Sequence, residues 1–207
     1  MKKKWLIGIF ALMVLCCIIP IRAVASLGSL PYWYSDEDSI GRWNASSLTV
    51  YKNKLNNNGN FYFIQGISYG VNLWEDVTDL SILSGTSTSF STAPIQFQGG
   101  TVAEINAYGT FTATASNNGL TQITYSIEGT WSYGSATKSG WLISNAIGYI
   151  VDKNHTTDEY KNTCTHELGH ALGWYGHTTN PVDIMYSYGS SVTTLSYRDT
   201  YHLAQVY

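Results

Sequence analysis

The chain has 207 residues, of which 44% are hydrophobic, enough for one domain with one core. Residues 1–25 contain four of the eleven basic residues and none of the fourteen acidic ones, so the remainder has seven basic and fourteen acidic residues. This excess of negative charge, without a basic run, argues against nucleic acid and anionic membrane surfaces as partners.

The first 25 residues are typical of a secretory signal peptide. Three lysines precede the apolar run "WLIGIFALMVLCCIIP", and the small residues of "AVA" predict cleavage after Ala25. A retained membrane anchor is the alternative, but the run ends at Pro20 and is short for a spanning helix. We therefore predict a secreted, extracellular protein with no stable membrane anchor. Once residues 1–25 are removed, Cys164 is the only cysteine and no intrachain disulfide can form.

The segment from 26 to 44 is predicted to be an extended lead-in, and "SLTVY" (47–51) alternates like a β-strand. A turn at 56–60 precedes an amphipathic helix predicted over 61–75. The small and apolar residues that recur at helical spacing in that helix are Phe63, Ile67, Gly70, Val71 and Trp74.

Between residues 80 and 151 the composition favours β-structure. The predicted strands are "APIQFQ", "TVAEI", "GTFTATA" and "TQITYSIEG". "SNNG" (116–119) is predicted to connect two of them as a hairpin, and 128–140 to form a surface loop. Residues 141–151 are compatible with a strand or with irregular core packing.

Two further helices carry clear start signals. Thr156 and Glu159 make a capping box, which predicts a helix from about Thr157. Gly173 suits the left-handed conformation that ends many helices. The last helix is predicted to begin near Ser196, with Asp199 three residues on as a capping partner, and to run to about Val206. Together these elements predict one α+β domain over residues 26–207. The apolar stripe of the motif-bearing helix consists of Tyr160, Cys164, Leu168, Ala171 and Leu172.

The stretch "HELGHALGWYGHTTNPVDIMY" (166–186) indicates a metal site. Residues four apart lie on one face of a helix, so His166 and His170 can direct both imidazoles at one zinc ion. Glu167 follows the first of them, where its carboxylate could accept a proton from a metal-bound water. The alternative is a surface helix with solvated histidines.

Catalytic zinc usually has three protein ligands, and no glutamate follows Glu167 to supply the third. His177 is the first ligand-type residue after the turn at Gly173, and we predict it as the third ligand. Asp183 is the main alternative. His155 and His202 are expected to be a loop histidine and a packed or partly exposed helix residue, respectively.

The combination of "HELGHALG", a nearby histidine and "IMY" resembles the metzincin clan of zinc endopeptidases, and among them the matrixins. The clan pattern is His-Glu-x-x-His-x-x-Gly-x-x-His, followed by a methionine in a turn beneath the metal. The resemblance implies that Met185 is this methionine and Gly173 the turn glycine. One extra residue lies between Gly173 and His177, and Gly176 is expected to let it bulge outward.

The resemblance implies a zincin-like fold, with a mixed twisted sheet, two long helices and a small C-terminal subdomain ending in a helix. It also implies hydrolysis of protein or peptide substrates with one catalytic zinc, and we expect a monomer. Tyr186 and Tyr188 follow the methionine, where such folds build the main specificity pocket, although surface packing explains them equally well.

Some family features do not transfer directly. No cysteine lies between residues 26 and 163 to keep the zinc inactive. If the protein is latent, an acidic residue of the cluster at 36–38 is the candidate that would cover the zinc. Cys164 is predicted to face the core and not the metal. Structural calcium is implied by the family but cannot be mapped, because no loop has densely spaced acidic residues. A secreted zinc-binding or adhesion module without turnover is the alternative function.

Overall fold

The computed structural model of the protein describes residues 40–77, 81–83, 92–133, 136–204 and 206–207. The predicted signal peptide and most of the predicted lead-in lie outside the described residues. Within the described ranges, no helix combines the length and the apolar character needed to cross a membrane.

The described residues form a mixed sheet of six strands and four helices, which confirms the predicted α+β class. The helix predicted over 61–75, the helix predicted from Thr157 and the helix predicted from Ser196 are all present. In chain order the elements are β1 (Ile40–Trp43), β2 (Ser47–Lys54), α1 (Phe63–Glu75), β3 (Ser81–Leu83), β4 (Ile95–Gly100), α2 (Val102–Tyr108), β5 (Gly119–Tyr133), β6 (Ala136–Val151), α3 (Thr157–Ala171) and α4 (Tyr197–Leu203).

The sheet is parallel except for β5. Strands β1, β6, β4, β2 and β3 are joined in that order by parallel pairing, and β5 pairs with β6 in antiparallel register, from Gly119 opposite Ile150 to Tyr133 opposite Ala136. No other described strand pairs with β5, so β5 is an edge strand of the described sheet. The start of β5 lies beside α3, where the Thr121 hydroxyl hydrogen-bonds to Glu167.

Two of the predicted strands are wrong. "TVAEI" begins α2, because Thr101 and Glu104 form a capping box in which the Thr101 side chain accepts a hydrogen bond from the backbone N–H of Glu104. Residues 109–115 ("GTFTATA") belong to no strand. The "SNNG" stretch therefore does not connect two strands, and it leads instead into the start of β5.

The predicted surface loop at 128–140 is also wrong. Most of these residues are the paired ends of β5 and β6, with Glu128 opposite Trp141 and Thr130 opposite Ser139. Strand β6 runs without a break from Ala136 through "WLISNAIGYIV" to Val151 and pairs with β5 along most of its length. The two strands therefore form one long hairpin. The ambiguous segment 141–151 is thereby resolved as a central strand.

Helix α3 is held between α1 and the sheet. The indole N–H of Trp74 in α1 donates to the backbone oxygen of Thr165 at 2.8 Å, and the indole N–H of Trp43 in β1 donates to that of Ala171, also at 2.8 Å. The predicted stripe of α3 is buried throughout. Its remaining face, with the histidines, is directed at the cleft between β5 and the C-terminal segment.

Candidate metal centre

Helix α3 brings His166 and His170 together. Its capping box forms as predicted, with the Thr156 side chain accepting from Glu159 N–H, so the helix is regular through the motif. The two imidazole rings lie 4.7 Å apart between centroids, and their Nε2 atoms are 3.1 Å apart. Spacing of four residues on one helix accounts for this convergence.

Backbone carbonyl groups fix which nitrogen of each ring carries its proton. His166 Nδ1 is 2.8 Å from the oxygen of Ile184, and His170 Nδ1 is 2.7 Å from the oxygen of Trp174. Because a carbonyl oxygen only accepts, each Nδ1 is the donor, and the two facing Nε2 atoms are left as lone-pair donors. Tetrahedral zinc with Zn–N bonds of about 2.0–2.1 Å would hold two such atoms roughly 3.3 Å apart, so the pair fits this ion.

The third histidine reaches the same point from the following coil. The ring of His177 lies 5.0 Å from the rings of both His166 and His170. One nitrogen from each of the three rings can be chosen so that all lie within 4.8 Å of one another, close enough to hold one metal ion. Among the described residues, neither His155 nor His202 joins this cluster.

The turn that delivers His177 contains the extra residue. Gly173 and Gly176 both have positive φ values, 107° and 68°, which only glycine adopts without strain. The expectation that the segment bulges outward is wrong in part. Trp174 is fully buried and supplies the carbonyl that orients His170, and the side chain of Tyr175 lies over β1.

Burial favours the neutral form of the two imidazoles on α3. It lowers the pKa of His166 to about 4 and lowers the pKa of His170 well below its usual value. Partial desolvation also lowers the pKa of His177. Neutral imidazole is the form that binds metal, so the cluster is ready to bind a cation at neutral pH.

Glu167 is buried beside the histidines and is held by β5. Its Oε2 accepts a hydrogen bond from the Thr121 hydroxyl at 2.7 Å, and the same hydroxyl lies 3.0 Å from the Glu167 backbone oxygen. A Cβ at position 119 would lie only 2.7 Å from Cγ of Glu167, so Gly119 lets the strand approach the carboxylate. Burial raises the pKa of Glu167 to about 7, and the hydrogen bond from Thr121 opposes this shift.

The predicted turn methionine lies under the helix. Met185 is fully buried, and its Sδ would be 2.6 Å from a Cβ at position 169 of α3. The carboxylate of Asp199 fixes the backbone of this turn, accepting from Ile184 N–H at 2.9 Å and from Met185 N–H at 3.2 Å. It also accepts from Ser196 N–H at 2.8 Å, which joins the turn to the start of α4.

The alternative ligands have other partners. Asp183 is buried, and its two carboxylate oxygens accept from Arg198 Nη2 and Nε at 2.7 and 2.8 Å. His202 is buried with its ring 3.9 Å from that of Trp174. Cys164 is buried in the core, as predicted, and burial raises the pKa of its thiol.

Two cavities flank the cluster along β5. One, of about 270 Å³, lies on the His166 side, and both Tyr186 and Tyr188 line it. The other, of about 540 Å³, lies on the His170 side. Glu167 and His177 border both, so the metal cluster separates two halves of one cleft.

The match to a family model agrees with this arrangement. The chain matches the matrixin family over residues 42–207, well over half its length. The solved structure of myroilysin is similar to this chain at 16% identity with a TM-score of 0.41, over 80% of this chain and 82% of that one. No curated protein sequence matches the chain. The chain therefore belongs to the matrixin family of zinc metallopeptidases.

Proposed function

We propose that the protein is a secreted zinc-dependent endopeptidase, acting as a monomer on protein or peptide substrates. The observation that carries the proposal is the convergence of three neutral imidazoles beside one buried carboxylate. Secretion rests on the predicted signal peptide, and the choice of substrate class rests on the family.

His166, His170 and His177 would hold the zinc through one ring nitrogen each, and the carbonyl groups of Ile184 and Trp174 would orient the first two rings. When bound, zinc supplies Lewis-acid polarisation of the scissile carbonyl and acidifies a water molecule. The three neutral ligands leave its positive charge uncompensated, which strengthens both effects.

Glu167 acts as the general base in this proposal. Its Oε2 is occupied by the Thr121 hydroxyl, so Oε1 is left to accept a proton from the attacking water. The same carboxyl then returns the proton to the leaving amine, so that the amide bond breaks without expelling an amide anion.

Metal removal tests the proposal. The purified chain should cleave casein or gelatin, lose this activity on dialysis against a chelator, and regain it with one equivalent of Zn²⁺. Mg²⁺ or Ca²⁺ should not restore it, because three imidazoles suit zinc and not oxygen-preferring cations. Release of new amino termini is the measurement. If the protein binds one zinc ion but produces no new amino termini, it is the non-catalytic binding module instead.

Thr121→Val removes the hydroxyl that orients Glu167 and keeps the branched shape that suits a strand. We expect kcat to fall about 10- to 150-fold with little change in KM, since a hydrogen bond to a charged group contributes about 1.5–3 kcal/mol. Thr121→Ser should recover most of the loss. Steady-state kinetics at matched zinc content measures both, and an unchanged kcat in Thr121→Val would show that the hydroxyl does not position the base.

A further inference from the structure

The two halves of the cleft differ in chemistry. Besides Tyr186 and Tyr188, the smaller cavity is lined mainly by polar residues: Ser116, Asn117, Asn118, Asn162 and Ser187. The larger cavity, on the His170 side, has an apolar and aromatic wall: Leu120, Ile123, Tyr125 and Tyr175. Burial of an apolar substrate side chain against an apolar wall contributes binding free energy in proportion to the apolar area removed from water. The larger cavity is therefore the one expected to select a substrate side chain.

The turn with the extra residue builds one side of the larger cavity. Trp174 is fully buried, and Tyr175 follows it with its ring 6.0 Å from that of Tyr125 on β5. A Cβ at Gly41 in β1 would clash with the Tyr175 hydroxyl oxygen, so the ring is packed between β1 and β5. Leu120 on the opposite wall is 44% exposed, with apolar surface available for contact.

We propose that the cavity on the His170 side binds a large apolar or aromatic substrate side chain, and that Tyr175 determines this specificity. The inference rests on the proposed endopeptidase function and adds the class of residue that the enzyme selects. The extra residue between Gly173 and His177 thereby gains a role, since it gives the turn room for both a buried Trp174 and a cleft-lining Tyr175.

The direction of β5 indicates which side of the scissile bond carries the selected residue. The strand runs from Gly119, which borders the smaller cavity, to Tyr125, which borders only the larger one. A substrate that adds to the outer edge of β5 in antiparallel register, the more stable pairing, runs the opposite way. Its residues N-terminal to the scissile bond then lie along the larger cavity.

Cleavage-site profiling tests this inference with the zinc-loaded full chain. A mixture of denatured proteins is digested, and the new termini are identified by mass spectrometry. We expect Phe, Tyr, Leu or Met to be enriched within three residues on the N-terminal side of the cut. Two matched peptides with Phe or Ala at the enriched position should then differ in kcat/KM by at least about tenfold.

Tyr175→Ala should reduce the Phe-to-Ala ratio of kcat/KM to below about threefold. Because Tyr175 packs on β1, Leu120→Asn provides a second variant at a half-exposed position, and it should also lower the ratio. Tyr197→Ala is the matched control, since Tyr197 is 75% exposed on α4 and borders neither cavity. It should keep both the ratio and the activity of the unaltered chain.

The outcomes separate this inference from the proposed function. Cleavage without an apolar preference, with the preference on the C-terminal side, or with a ratio unchanged in both cavity variants would overturn the inference alone. An absence of any cleavage by zinc-loaded protein would overturn the proposed function as well.

Discussion

Glu167→Gln is expected to lower kcat/KM by about 10²–10⁴-fold, the usual contribution of a general base. The amide has the size of the carboxyl group, and its oxygen can still accept from Thr121, but it cannot take a proton from water. Because Glu167 is buried and its burial disfavours the charged form, the neutral amide should leave the melting temperature unchanged or slightly higher. Peptide hydrolysis, zinc content and thermal unfolding are the measurements.

Glu159→Gln is the matched control for this change. Glu159 lies in the first turn of the same helix, where its carboxylate accepts from Thr156 N–H at 2.6 Å, and glutamine also serves in a capping box. Activity should therefore be retained. Equal hydrolysis by the Glu167 and Glu159 variants would remove the general-base role from Glu167.

His177→Ala is expected to abolish activity and to weaken zinc binding by more than about 100-fold. Loss of a residue that only orients a metal ligand already lowers metal affinity by about 10- to 100-fold, and loss of a ligand should cost more. The two remaining imidazoles leave zinc below the three protein ligands of a catalytic site. His177 is on the surface of the coil, so its removal should not disturb the core. Metal competition titrations on protein with an unchanged melting temperature would measure the loss.

Asp183→Asn addresses the alternative ligand. Asp183 is fully paired with Arg198, so the variant should lose thermal stability but keep one equivalent of zinc. If zinc affinity were unchanged without His177 and fell without Asp183, the third ligand would have to be reassigned.

Local signals in the sequence predicted the elements that carry the motif. The capping boxes of α3 and α4 both form, because a side chain and a backbone N–H three residues apart need no distant partner. The same signal at Thr101 and Glu104 marks α2, where the capping box prevails over the apolar alternation that predicted a strand.

The β5–β6 hairpin was not predictable from its own residues. Glycine, serine and threonine between 128 and 140 have the composition of a loop, and only pairing across the hairpin makes them strands. Such pairing depends on where β6 lies in the sheet, because β1 and β4 extend along its other edge.

The convergence of the three histidines was predictable because their spacing is a property of one helix and one turn. The support of Glu167 was not, because Thr121 lies 46 positions earlier in the chain and on an edge strand. The alternating pattern around Thr121 predicts a strand, but it does not indicate which distant residue the threonine hydroxyl contacts. The assignment of Asp199 to the Met185 turn was missed for the same reason, although its capping role was visible.

The bonds from Asp199 to the backbone of Ile184 and Met185 have a consequence for the order in which the protein matures. A ribosome delivers the chain from its amino end, so helix α3 emerges well before residue 199. The carbonyl that orients His166 belongs to Ile184, whose own position depends on that late carboxylate. We therefore expect the protein to bind its metal tightly only after Asp199 has folded against this turn.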